Sequence, residues 1–348
     1  MSTVPAIEIR NVTKIFGDEP EAALSLLKEG RSKSDVQAET GQVIGVDDVS
    51  LSVERGQIHV VMGLSGSGKS TLIRHVNRLI DPTSGEIFVN GIDVLTMNIE
   101  ELRHFRRTQI AMVFQKFGLL PHRSVIDNVA FGLEVRGEDK AKRLEIAAEW
   151  IETVGLAGYE KSQPHHLSGG QQQRVGLARA LAMDTDILLM DEAFSALDPL
   201  IRSGMQDELM ELQQKLNKTI LFITHDFDEA LKIGDRIAVL KDGALIQEGP
   251  PEEIVLKPAN AHIEEFVADV NKARAISVKS IMSRDENMEK CEIAVAEAAR
   301  CEDVLPLFAE YDWVGVTNDV GKQTGYVTAK AVIKALARHQ PTIETTQV

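Results

Sequence analysis

The residues Gly63-Leu64-Ser65-Gly66-Ser67-Gly68-Lys69-Ser70-Thr71 carry the spacing G-x-x-x-x-G-K-[ST]. Glycines at these positions let consecutive backbone N–H groups turn inward around phosphate oxygens, and a following helix adds the positive end of its dipole. Lys69 is placed to reach β- and γ-phosphates, and the Ser70 hydroxyl to ligate Mg²⁺. A second group follows in Asp186-Ile187-Leu188-Leu189-Met190-Asp191-Glu192. An apolar strand ending in a carboxylate would deliver Asp191 beside the phosphate loop, where it can hold hydrated Mg²⁺. Glu192, one residue further, can polarise an attacking water. Alone, that second pattern is also met at ordinary solvated strand ends; paired with the loop it points to phosphoryl transfer.

These groups need rigid carriers. Gln57-Ile58-His59-Val60-Val61-Met62 reads as a fully buried strand running into the loop, and Leu72-Ile73-Arg74-His75-Val76 as the helix leaving it. Apolar–polar alternation predicts a half-buried strand over 6–15. Further strands are expected over 43–53, 110–114, 187–190, 220–224 and 237–240, with helical segments between them. Buried strands alternating with helices indicate an α/β fold with a mainly parallel sheet covered on both faces. Within 17–45, Ala22 to Leu27 suggest a short helix ended by Gly30. Ser34 and Gln37 have capping-box spacing for another, stopping near Gly41. Residues 263–275 read as a closing helix, after which the pattern changes.

Composition sets outer bounds. The 348 residues are 43% hydrophobic and 26% charged, a globular balance with a soft expectation of about two domains. The net charge of −15 argues against nucleic acid as a partner, since phosphate-gripping surfaces are basic. The acidity belongs to the larger N-terminal part, the tail from Asn271 being nearly neutral. Cys291 and Cys301 are the only cysteines, too few for a disulfide framework or a four-cysteine zinc site. The opening Met1-Ser2-Thr3-Val4-Pro5 lacks signal-peptide features, and no apolar run approaches the roughly 18 residues of a membrane helix.

Between the phosphate groups lies Leu167-Ser168-Gly169-Gly170-Gln171, followed by Gln172-Gln173-Arg174-Val175. This resembles the signature sequence of ABC ATPases. The remaining family motifs stand in the expected order: Phe16 at the adenine-stacking position, Gln115 after Ala111-Met112-Val113-Phe114 (Q-loop), Ser195-Ala196-Leu197-Asp198 (D-loop) and His225 after Leu221-Phe222-Ile223-Thr224 (H-loop). The stretch from Gly17 to Gly45 resembles the insertion of ATPases serving glycine betaine, proline and choline importers. Histidine importers share much of the pattern, so the solute stays open. Val278-Lys279-Ser280-Ile281-Met282, Gly315-Val316-Thr317-Asn318-Asp319 and Gly325-Tyr326-Val327-Thr328 resemble the opening and closing halves of one CBS module. Many relatives carry two.

The resemblance implies a P-loop NTPase domain over 1–275, with a parallel sheet core, an antiparallel β subdomain and a helical subdomain at about 116–180. A shortened α+β CBS-like module would fill 276–348, used for regulation or for dimer contacts. ATP is the implied substrate, with Mg²⁺ held by Ser70, Gln115 and Asp191. Glu192 and His225 are the implied catalytic pair. Ser168, Gly169, Gly170 and Gln171 would act across a homodimer, with Ser195 and Asp198 beside them. Ser168 sits where a helix begins, so its hydroxyl, the glycine N–H groups and the helix dipole can meet a γ-phosphate. A groove beside Leu119, Leu120 and Pro121 would receive a permease, and a solute-binding protein would act at one remove. The implied place is the cytoplasmic face of the inner membrane, as a peripheral subunit. Other classes include a soluble ABC ATPase working on DNA or ribosomes, an exporter ATPase and an adenine-nucleotide sensor. The charge disfavours the first, the insertion the second and the short tail the third.

Overall fold

Three of the apolar runs become the centre of a six-stranded sheet. The computed structural model describes residues 4–115, 117–195, 197–268, 270–284, 291, 293–318 and 320–337. The expectations at Met1-Ser2-Thr3, Lys116, Ala196 and Asp319 lie outside them. The described chain divides into two compact units, residues 1–225 with 238–246, and residues 226–237 with 247–348. The segment 247–275, read from sequence as the end of the first domain, therefore clusters with the tail.

In the first unit, β1 (Ile7–Phe16) is flanked by β2 (Val43–Val53) and by β4 (Ser84–Val89), both antiparallel to it. With β3 (Ile58–Met62) and β5 (Ile92–Asp93) placed in chain order, this sheet runs β2-β1-β4-β5. The second sheet uses β3, β6 (Ile110–Val113), β7 (Ile187–Asp191), β8 (Thr219–Thr224), β9 (Arg236–Lys241) and β10 (Ala244–Gly249), in the order β10-β9-β3-β8-β7-β6. The pairs β3/β8, β8/β7 and β7/β6 are parallel. Register sets Met62 opposite Thr224 and Asp191 opposite Ile223, so the loops after β3, β7 and β8 open at one end of the sheet. Ligands bind outside the carboxyl ends of strands in such sheets.

Val61, Leu189, Leu221 and Ile223 of the parallel sheet pack with Ile7, Ile9, Val49 and Ile87 of the antiparallel one. Leu72, Ile73 and Val76 of the helix Lys69–Val76 join this core, which fixes the helix start under the phosphate loop. The helices Val125–Val129, Phe131–Arg136, Lys140–Thr153 and Gly169–Ala182 pack round a separate core of Val129, Leu133, Ile151, Val175 and Ala178.

Two local expectations need correcting. The helix Lys33–Thr40 is capped by Ser32, whose Oγ accepts from the Asp35 N–H, so Ser34 and Gln37 form no capping box. Ser32 wins because it has the extended backbone (φ −66°, ψ 153°) that a cap needs. The closing helix over 263–275 is instead Ala261–Ala268 and Lys272–Ala275, the second begun by Asn271, whose side chain accepts from the Ala273 N–H. Asparagine offers the backbone that alternative to continuing a helix.

The second unit contains β11 (Ala294–Ala296), β12 (Trp313–Thr317) and β13 (Gln323–Thr328) in the order β11-β12-β13, with β11 parallel and β13 antiparallel to β12. The helix Ala329–Leu336 follows. Val314, Val316, Val327 and Val332 share a core with Ala273 and Ile276. Among the described residues, no helix is long and apolar enough to cross a membrane.

Candidate active site

The loop after β3 is shaped by close approach. A Cβ on Gly63 (φ +150°) would lie 2.1 Å from the Leu240 carbonyl oxygen, and one on Gly68 (φ +94°) 2.3 Å from that of Gly45. Only glycine fits both conformation and space. Lys69, 4% exposed, folds its ammonium back over the loop and donates to the carbonyls of Gly63 (2.7 Å) and Leu64 (2.8 Å). Burial pulls that ammonium below the usual lysine range, against the upward pull of Glu192 and Asp191. Ser67 is also buried, whereas Ser65 and Gly66 are exposed. Ser70 and Thr71 open the helix behind them.

Asp191 is fully buried at the end of β7. Ser70 Oγ donates to its Oδ1 at 2.7 Å, and Arg74 Nη2 to its Oδ2 at 3.1 Å. Arg74 was not singled out from the sequence. Its spacing of one helical turn after Ser70 puts both on one helix face, but that this face meets Asp191 is visible only in the fold. Among the described residues no group of three or more His, Cys, Asp or Glu could hold a metal alone. A hydroxyl and a carboxylate beside a phosphate loop suit Mg²⁺, which keeps waters and takes other oxygens from substrate phosphates.

Glu192 has φ +47°, a costly backbone for a non-glycine residue. Its N–H donates to the Ile223 carbonyl (3.0 Å), and its own carbonyl accepts from Ser195 N–H (3.2 Å) and Ser195 Oγ (3.0 Å). The carboxylate is thereby aimed at two other predicted site residues, of which only His225 was expected to meet it. Gln115 Nε2 donates to Oε2 at 2.8 Å, and His225 Nδ1 stands 3.4 Å from the same oxygen. Thus Gln115, Asp191, Glu192 and His225 converge with the Lys69 loop.

Phe16, 40% exposed, has Lys14 Nζ 5.2 Å from its ring centroid, and its Cε2 would lie 2.6 Å from a Cβ on Gly45. Ser168 caps the helix Gly169–Ala182 in a full capping box: its Oγ accepts from Gln171 N–H, and Gln171 Oε1 accepts from Ser168 N–H. The N–H groups of Gly169 and Gly170 fall in the first turn, where helices leave donors for other partners. Asp198 caps the helix Pro199–Leu216 by accepting from Ile201 N–H. Gln171 and Asp198 therefore serve local structure first. Leu119 and Leu120 are half-buried and Pro121 exposed, and a groove of about 340 Å³ opens nearby between Met112, Phe114, Phe131 and Met183.

The ABC transporter family profile matches residues 46–195. The chain is 55% identical over 286 residues to the glycine betaine/carnitine transport ATP-binding protein GbuA of Listeria monocytogenes, covering 82% of this chain and 72% of that protein. It is 44% identical over 332 residues to the trimethylamine N-oxide transport system ATP-binding protein TmoW of Pelagibacter ubique, covering 94% of this chain and 96% of that one. Its fold is similar to that of a dimeric ATP-binding cassette in a post-hydrolysis state bound to ADP and Pi, with a TM-score of 0.60 and 32% identity over 70% of this chain and 97% of that one. The chain belongs to the family of ABC transporter ATP-binding proteins.

Proposed function

We propose that this chain hydrolyses ATP to energise a membrane importer for a small methylated amine or amino acid. The observation that carries this reading is the convergence of Gln115 and His225 on Glu192 beside the Lys69 loop. The loop N–H groups and Lys69 bind the β- and γ-phosphates, with Lys69 exchanging its loop carbonyls for phosphate oxygens. Ser70 and Asp191 hold Mg²⁺, which when bound neutralises phosphate charge; Gln115 adds an oxygen on that side. Phe16 stacks on adenine. Glu192 orients the attacking water, and His225 holds the carboxylate and the γ-phosphate in register. Ser168, Gly169, Gly170 and Gln171 of a second copy complete each site, with Ser195 and Asp198 alongside, so ATP closes a homodimer and hydrolysis releases it.

Closure is passed to integral-membrane permease subunits at the groove near Leu119, which places the chain peripherally at the cytoplasmic face of the inner membrane. A solute-binding protein acts indirectly. Residues 1–275 form the ATPase domain and 276–348 a CBS-like regulatory or dimer-contact module. Glycine betaine, choline and proline are the solutes favoured by the insertion. Trimethylamine N-oxide is a second reading, favoured by the near end-to-end match to the Pelagibacter protein, tail included. Reconstituted uptake with copurified permease, challenged by betaine, choline, proline, histidine and trimethylamine N-oxide, decides between them. Uptake that is independent of ATP would remove the reading altogether.

A further inference from the structure

The segment 17–45 carries a cation to the back of the phosphate loop. Ser32 caps the helix Lys33–Thr40 and so fixes Lys33 at its first turn. A small core of Ile15, Ala23, Leu24, Val36 and Ile44 holds that helix against β1 and β2. Lys33 is half-buried, and its Nζ donates to the Asp242 carbonyl at 2.8 Å. Burial lowers the affinity of this ammonium for its proton, while Asp242 and Asp47 raise it. Asp242 (φ +51°) and Gly243 (φ +86°) form the tight turn between β9 and β10. The Gly243 N–H donates to the Ser67 carbonyl at 3.2 Å, inside the phosphate loop, and the Gly243 carbonyl accepts from Asp47 N–H at 2.8 Å. Gly45, the last residue of the segment, abuts the same loop at Gly68.

We infer that Lys33 is a positioning residue: by holding the Asp242–Gly243 turn it braces Ser67 and fixes the loop that grips the nucleotide phosphates. Lys33 touches no reacting atom in this account. Its role is to keep the Ser67 carbonyl engaged by the Gly243 N–H and so turned away from the ligand. A charge-assisted hydrogen bond to a backbone carbonyl is strong enough to bias such a turn. The inference rests on the ATP-hydrolase reading above and gives the extra segment a task in the site itself.

The test compares full-length wild type with Lys33→Met, Lys33→Gln, Lys33→Arg and the exposed control Lys28→Met. ATP Kd, KM and kcat are measured, with the melting temperature in the absence of nucleotide. Lys33→Met should raise Kd and KM about five- to tenfold, the size of one lost charged hydrogen bond felt at second hand. Its kcat should stay within about twofold, because the groups acting on the γ-phosphate are unchanged. Lys33→Arg should restore most of the affinity, Lys33→Gln less, and Lys28→Met should match wild type. Wild-type Kd and KM in a folded Lys33→Met or Lys33→Gln protein, with only the melting temperature lowered, would overturn the brace. Wild-type protein that bound no ATP would overturn the nucleotide reading and the brace with it.

Discussion

Gln115 Nε2 and Glu192 Oε2 are joined by a 2.8 Å hydrogen bond, although 77 positions separate them in the chain. The bond ties the end of β6 to the residue after β7. His225 Nδ1 approaches the same oxygen, so among the described residues Oε1 is the one left to meet a water. Glutamine is neutral and cannot take the proton, so in the proposed reaction the carboxylate is the base. The left-handed backbone of Glu192, held by Ile223 and Ser195, makes this aim a property of the fold rather than of a mobile side chain.

Gly68→Ala should cripple nucleotide binding without unfolding the chain. The residue has φ +94°, and a new Cβ would lie 2.3 Å from the Gly45 carbonyl. Relieving that overlap shifts the loop, so ATP Kd should rise at least about tenfold, matching the roughly 1–3 kcal/mol of a strained backbone. Calorimetric titration checks this, and a wild-type Kd would show that the loop tolerates a side chain.

Gly170→Asp should bind ATP normally and hydrolyse almost none. A carboxylate facing the γ-phosphate across the dimer adds a like-charge contact costing several kcal/mol. The side chain would start 3.0 Å from Ile201 Cγ2, so it has little room to turn inward. Full activity in the variant homodimer would dismantle the shared site.

His75 predicts an acid-side stability slope. It is fully buried, its Nδ1 lies 2.6 Å from the Thr71 carbonyl, and burial pulls its imidazole down to about 4. Below the unfolded value near 6.5 the unfolded chain binds this proton and the folded chain does not. Stability is therefore complete above pH 6.5 and falls as pH drops from there through about 4, by up to about 3 kcal/mol. Urea melts of wild type and His75→Gln across that window measure the difference. Parallel slopes in the two proteins would mean His75 contributes nothing.

The candidate site residues were legible because each closes an apolar run: Asp191 ends β7, Glu192 follows it, and His225 follows β8. The phosphate loop is contiguous, so its chemistry can be read without the fold. Arg74 on Asp191 and Lys33 on Asp242 depend on segments meeting in three dimensions, and single-chain spacing carries little of that. The strands β4, β5 and β10 escaped notice because they are largely half-exposed and lack long apolar runs. Ser32 and Ser34 are both good caps by type, and only the backbone conformation chooses between them.

The central claim, that Glu192 orients the water in an ATP-hydrolysing site, is tested most directly by single-turnover hydrolysis in Glu192→Gln alongside MgATP affinity. The substitution keeps the shape and one oxygen to accept from Gln115 but removes the base. Hydrolysis should slow by at least about 100-fold, the usual contribution of a general base, while MgATP binding persists and an ATP-bound dimer accumulates. Hydrolysis within a few-fold of wild type, with binding intact, would contradict the account.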